Sequence, residues 1–133
     1  MLGWVGDIEQ QTVANTTFRT VVFTGKHTQL TVMSLAPGES IGREVHEGID
    51  QFLRVERGSG RVELGRGEDS VDETHDVHDD WAVIVPAGVW HDIVNTGDGE
   101  LKLYSLYSPP EHRDGTVHET KADAEAAEAA EHG

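Results

Sequence analysis

Short apolar runs recur along this chain from residue 17 to residue 107, and each run is four to eight residues long. They are rich in Val, Ile, Thr, Phe and Tyr, and Gly, Pro, Asp or Asn separates one run from the next. Runs of this length fit β-strands and are too short for most helices. The pattern therefore predicts an all-β sandwich or barrel, and 133 residues match one domain of ordinary size.

Turn residues divide this region into eight predicted strands, at residues 18–24, 28–35, 41–46, 51–57, 60–65, 81–85, 89–94 and 101–107. Gly58-Ser59-Gly60 predicts a tight hairpin, because glycine takes positive φ without a Cβ penalty. Residues 66–80 are acidic and lack apolar periodicity, so we expect an exposed excursion there. The run 81–85 is apolar throughout, which predicts a strand buried on both faces.

The two ends of the chain differ in character from this central region. We divide the sequence into an N-terminal segment (1–16), a β-domain (17–118) and an Ala/Glu-rich tail (119–133). The tail has helix-forming composition over residues 120–131, with Thr120 as the N-cap. Its only apolar face is alanine, so we expect a lightly docked or frayed helix.

Metal-ligating side chains occur at regular spacing in two segments, residues 37–58 and 80–95. The first holds Glu44, His46 and Gln51, and the second holds His91. Residues two apart on a strand point to the same face, so Glu44 and His46 both enter the barrel, and Gln51 follows on the next strand. The chain has no cysteine, so only nitrogen and oxygen atoms could hold an ion.

The two segments resemble the two motifs of the cupin family. The first motif, G-x5-H-x-H-x(3,4)-E-x6-G, is matched in register at positions 38, 44, 46, 51 and 58, with Glu44 replacing a histidine and Gln51 replacing the glutamate. The second, G-x5-P-x-G-x2-H-x3-N, is matched at positions 86, 88, 91 and 95, with Asp80 replacing its first glycine.

The resemblance implies a double-stranded β-helix, or jelly-roll barrel, with a short C-terminal helix. It also implies a divalent metal site made of Glu44, His46, Gln51 and His91. Zn, Mn, Fe and Ni are all compatible with these ligands, so the identity of the ion stays open. The alternative is a cupin that has lost its metal and keeps the four residues as a polar pocket, but a buried carboxylate beside imidazoles is costly without a cation.

The function implied is metal-dependent chemistry on a small molecule of sugar or oxoacid type, with the ion as a Lewis acid and Glu44 or a bound water as proton carrier. Three alternatives stay open: a mannose-6-phosphate isomerase-like enzyme, an Fe(II) dioxygenase, and a non-catalytic ligand-binding or sensing cupin. A phosphosugar needs inward cations, yet strand alternation points Arg43 and Arg54 outward, which weakens the isomerase alternative.

Other polar and aromatic residues have two interpretations each. His75 and His78 could bind a surface metal but are more simply solvated, and His112 and His118 could fold over a barrel mouth or contact a second subunit. Trp90, Tyr104 and Tyr107 fit either a ligand pocket or core packing.

The formal net charge of −15 opposes binding to nucleic acid or to anionic membranes. Acidic, lysine-poor composition is typical of proteins adapted to high salt, so a halophilic source is plausible. The N-terminus lacks a basic, apolar leader and no run approaches the ~18 apolar residues of a membrane span, so we expect a cytoplasmic protein. Pairing through edge strands predicts a homodimer.

Overall fold

A computed structural model gives the fold, and the structure describes residues 2–132. It contains two antiparallel sheets and two helices. In chain order the elements are α1 (Ile8–Ala14), β1 (Arg19–Thr24), β2 (Gln29–Leu35), β3 (Asp50–Arg57), β4 (Ser59–Gly65), β5 (Glu73–His78), β6 (Ala82–Val85), β7 (Trp90–Asn95), β8 (Leu101–Ser108), β9 (Val117–His118) and α2 (Lys121–His132).

The strands form a six-stranded sheet, in the order β6-β3-β8-β2-β1-β9, and a three-stranded sheet, in the order β5-β4-β7. Their inner faces enclose one apolar core. Leu53 and Leu103 enter it from the larger sheet, and Val62 and Ile93 enter it from the smaller one. This two-sheet sandwich confirms the predicted all-β jelly-roll, including its C-terminal helix.

The predicted strand at residues 41–46 is wrong as a continuous strand. Two isolated bridges replace it, one between Ser40 and Val94 and one between Glu44 and His91. Between them Gly42 has a φ of 91°, which lies outside the extended region and turns the backbone. The segment therefore contacts β7 through separate bridges and not along a continuous ladder.

The prediction that residues 66–80 form only an exposed excursion is also wrong. Residues 73–78 form β5, which pairs with β4 along its whole length. Five of its six side chains are exposed, and only Val77 is buried, so the strand has no apolar alternation to reveal it. Residues 66–72 do form a loop, and the Arg43 guanidinium holds it by donating to the carbonyls of Gly67, Glu68 and Ser70.

The apolar run at residues 81–85 is not buried on both faces. Its residues 82–85 form β6, an outer strand that pairs with β3 alone. Ile84 is 68% exposed and Trp81 is 46% exposed, whereas Val85 is buried. An outer position, with one sheet face uncovered, explains why an apolar sequence is exposed here.

Both helices begin at a capping side chain. Helix α1 was not predicted, and Asp7 caps it by accepting from the Gln10 backbone N–H at 3.1 Å. At α2, Thr120 and Asp123 each accept from the other's backbone N–H, at 3.1 and 3.3 Å. Ala124 is 2% exposed and joins the core, so the alanine face of α2 docks as expected.

Candidate metal centre

Backbone pairing brings Glu44 next to His91. The Glu44 N–H donates to the His91 carbonyl at 3.0 Å, and the His91 N–H donates to the Glu44 carbonyl at 2.9 Å. In an antiparallel bridge the two side chains lie on the same face. His46 follows two residues later, and its carbonyl accepts from the Gly88 N–H at 2.9 Å, which fixes the segment against the turn before β7.

The three side chains converge on one point. Glu44 Oε1 lies 3.3 Å from His46 Nε2 and 3.5 Å from His91 Nε2. One ligand atom from each residue lies within 4.8 Å of the others. Among the residues that the structure describes, this is the one group of three or more His, Asp or Glu side chains close enough to hold an ion.

Gln51 lies on β3, and its side chain is buried at 2% exposure. Its Nε2 is 3.5 Å from Ser105 Oγ, and its Oε1 has no hydrogen-bond partner. Tyr107 is its partner on β8, and the ring of Tyr107 lies 5.9 Å from the ring of His46. Gln51 therefore points into the interior, and its membership of the ligand set stays a prediction.

The cluster holds a charged carboxylate. Burial by itself raises the pKa of Glu44, but contacts with His46 and His91 outweigh it and lower this pKa to about 2. Burial lowers the pKa of His46, and the contact with Glu44 reverses that effect, so the pKa ends above its usual value. Glu44 is therefore ionised at neutral pH and can serve as an anionic ligand.

The hydrogen bonding of His91 leaves a lone pair free at the centre. Its Nδ1 lies 3.1 Å from the Val89 carbonyl. A carbonyl only accepts, so the proton of the neutral ring is on Nδ1, and Nε2 carries the lone pair. Metal-ligating histidines are commonly oriented in this way, by a carbonyl that accepts from the other ring nitrogen.

The buried His46 Nε2 and His91 Nε2 make no hydrogen bond of good geometry, although Glu44 Oε1 lies 3.3 and 3.5 Å from them. Gln51 Oε1 on β3 is also buried and has no hydrogen-bond partner. Leaving a buried polar atom unpaired costs about 1–3 kcal/mol. Two imidazole nitrogens, a carboxylate and an amide oxygen suit a divalent Zn, Mn, Fe or Ni ion. The residues present therefore fit a bound metal.

A cavity of about 360 Å³ opens beside Glu44 and His46. This volume suits a small molecule. The rest of its lining is Val45, Glu47, Ile49, Glu111, His112 and Glu128. Gln29 fixes the segment that carries His112, because its side chain donates to the His112 carbonyl at 2.6 Å and accepts from the His112 N–H at 2.9 Å.

The sequence reasoning missed one functional candidate, Arg19. Its side chain is 2% exposed, and its Nη1 lies 3.6 Å from Glu128 Oε1. Burial and then the charge of Arg19 lower the pKa of His112 to about 3. Arg19 is therefore an inward-facing cation, which the sequence analysis did not assign. The sequence feature that indicates it is the alternation of β1, in which Arg19 and Val21 are both buried.

Of the remaining candidates, only Tyr107 contacts a residue of the cluster in the part of the chain that the structure describes. His75 Nε2 contacts Glu73 Oε1 at 3.0 Å on the exposed β5, and the ring of His78 lies 5.1 Å from that of Trp81. His118 Nδ1 is 3.4 Å from Arg19 Nη1. Of the three aromatic candidates, Tyr107 lies beside the centre, Tyr104 lies near Phe52, and Trp90 lies under the Arg43 guanidinium.

Comparison with known proteins agrees with this geometry. The model of the cupin domain family matches residues 31–107. The uncharacterized protein YrkC of Bacillus subtilis is 55% identical over 125 residues, which is 94% of this chain and 67% of YrkC. The chain belongs to the cupin family.

Solved structures show the same fold. The crystal structure of BH2720 from Bacillus halodurans is 51% identical, has a TM-score of 0.92, and is matched over 92% of this chain and 93% of that one. A predicted oxalate decarboxylase from Thermotoga maritima is 22% identical, with a TM-score of 0.56 and coverage of 64% and 69%. The second likeness shows the fold alone.

Among residues 2–132, no helix has the length and apolar character needed to cross a membrane.

Proposed function

We propose that this chain is a metal-dependent cupin that acts on a small molecule of sugar or oxoacid type, with Glu44, His46, Gln51 and His91 as the ligands of a divalent ion. The observation that carries the proposal is the convergence of an ionised Glu44 carboxylate, His46 Nε2 and His91 Nε2 on one point, where neither nitrogen makes a hydrogen bond of good geometry. A cation would coordinate all three atoms at once, and the buried Gln51 Oε1 is the fourth ligand that we propose.

A bound divalent ion would supply Lewis acidity toward a carbonyl or hydroxyl oxygen of the substrate. The chain supplies the ligands and an adjoining cavity of about 360 Å³. Since the pKa of Glu44 is about 2, its carboxylate holds a proton poorly at neutral pH and is better suited to ligation. The catalytic role of Glu44 stays a prediction, and a water in the cavity is the other proton carrier.

An aerobic activity screen tests the catalytic part of the proposal. The protein is loaded in turn with Fe(II), Mn(II), Zn(II) or Ni(II) and assayed on sugars, sugar phosphates and oxoacids. We expect turnover that is lost in His91→Ala and kept in His75→Ala, because His75 lies on the exposed β5. Isomerised sugar phosphate would indicate the isomerase-like alternative, and oxygen consumption with Fe(II) alone would indicate a dioxygenase. No turnover with any ion would refute an enzyme and favour a binding or sensing cupin.

We also propose that two copies pair as a homodimer. The outer strand β6 has a free edge and carries Ile84, which is 68% exposed. The net charge of −15 opposes pairing, and salt screens it, so the dimer should strengthen as salt rises. Sizing at moderate and high salt measures this, and a monomer at every protein and salt concentration would contradict it.

A further inference from the structure

We propose that Arg19 binds the carboxylate group of a ligand in the cavity beside the metal centre, and that Glu128 of α2 occupies this position until the ligand displaces it. The inference rests on the proposed function, because it specifies the substrate class of the same cavity. It selects small carboxylic acids over neutral sugars and sugar phosphates.

Arg19 has donor capacity that the fold leaves unused. Its side chain is 2% exposed, and its Nε is buried without a hydrogen-bond partner. Its Nη1 lies 3.4 Å from His118 Nδ1 and 3.6 Å from Glu128 Oε1, and both distances exceed the about 2.7–2.9 Å of a charge-assisted hydrogen bond. A buried guanidinium is costly unless its donors are satisfied, so this one is incompletely paired in the fold as it stands.

The guanidinium does not line the cavity itself but lies next to Glu128, with Nη1 3.6 Å from Glu128 Oε1. Glu128 lines the same cavity as Glu44, His46 and His112. Because its carboxylate stands next to the Arg19 guanidinium, its removal would open Arg19 to the cavity. A carboxylic acid bound in place of Glu128 would then share the cavity with Glu44 and His46.

Helix α2 holds Glu128 only loosely. The first turns of the helix are anchored by the buried Ala124 and by Lys121, whose Nζ lies 3.1 Å from Ser40 Oγ. Glu128 lies a full turn beyond Ala124, and its side chain is 45% exposed. Its carboxylate can therefore rotate into solvent while the anchored turns stay docked.

The surrounding charges favour a carboxylate over a phosphate. Arg19 presents a planar fork that matches the two oxygens of one carboxylate. Glu47 and Glu111 also line the cavity, and two further negative charges oppose a dianionic phosphate more than a monoanionic acid. Of these two anions, the monoanionic acid is therefore the one that the acidic lining opposes less.

Calorimetric titration of the zinc-loaded protein tests the inference, with pyruvate as the probe and with pyruvamide and inorganic phosphate as comparisons. Glu128→Gln removes the internal competitor. Glu125→Gln is the matched control, because Glu125 is an exposed acid on the same helix. We expect pyruvate to bind at least threefold more tightly to Glu128→Gln than to Glu125→Gln, and pyruvamide and phosphate to bind less tightly than pyruvate. Arg19→Lys should weaken pyruvate binding at least tenfold.

Equal affinities for Glu128→Gln and Glu125→Gln would overturn the inference, as would pyruvamide binding as tightly as pyruvate or no pyruvate binding to Glu128→Gln. The comparison of pyruvate affinity between Glu128→Gln and Glu125→Gln tests the inference even if Arg19→Lys does not fold. Metal content, measured by elemental analysis on the same samples, should be equal in all variants. A wild-type protein that takes up no ion would refute the proposed function instead, and titration of that metal-free protein would still report on Arg19.

Discussion

A divalent ion should raise the thermal stability of this protein, because it would pair with atoms that are buried and unsatisfied. An ion present at 100 times its dissociation constant stabilises the folded state by about 2.7 kcal/mol. For a domain of this size each kcal/mol shifts the melting temperature by about 3–5 °C. We therefore expect a rise of about 10 °C when ion is added to chelator-treated protein.

Glu44→Gln should remove most of this rise, because the amide keeps the shape of the side chain and loses the charge that contacts His46 and His91. Glu73→Gln is the matched control, since Glu73 is an exposed glutamate on β5. Differential scanning calorimetry with and without each ion measures both shifts. The reasoning would be refuted by a wild type that none of the four ions stabilises, or by equal shifts in the two variants.

Three further predictions concern stability. Asn95→Ala should lower the free energy of unfolding in urea by about 2–3 kcal/mol, because its buried side chain donates to two carbonyls and accepts from one amide; unchanged stability would contradict this. Gly58→Ala should cost about 1–3 kcal/mol in the same assay, because φ is 108° and the added Cβ would lie 2.9 Å from the Glu100 carbonyl oxygen. Burial and the charge of Arg19 lower the pKa of His112 to about 3 in the folded protein, whereas the same histidine in the unfolded chain protonates near pH 6.5. The metal-free protein should therefore lose stability as the pH falls from 6.5 to 3, and His112→Gln should make this loss smaller. An unchanged dependence of the unfolding free energy on pH would contradict the prediction.

The fold could be predicted from sequence because most strands alternate between a buried and a solvated face. The predicted strand 51–57 became β3, whose Gln51, Leu53 and Val55 point inward. The pattern failed where burial does not follow alternation. Strand β5 is paired but almost wholly exposed, and apolar β6 lies at an edge with Ile84 in solvent.

The cluster of Glu44, His46 and His91 could be predicted because these residues lie in two short segments of fixed spacing, and the bridge between Glu44 and His91 joins those segments. The surroundings of the centre could not be predicted in the same way. Arg19, His112 and Glu128 come from β1, from the loop after β8 and from α2. Only the fold brings His112 and Glu128 into the lining of one cavity and places Arg19 next to Glu128. The alternation of β1 indicates that Arg19 faces inward with Val21, but it does not indicate which residues lie next to the guanidinium.

Elemental analysis of the purified protein tests the central claim most directly. The account predicts about one divalent ion per wild-type chain after dialysis, and far less in Glu44→Ala and His91→Ala, because each variant removes one ligand from the converging set. A wild type that retains no ion after growth in metal-supplemented medium would contradict the account. Equal metal content in the wild type and both variants would contradict it as well.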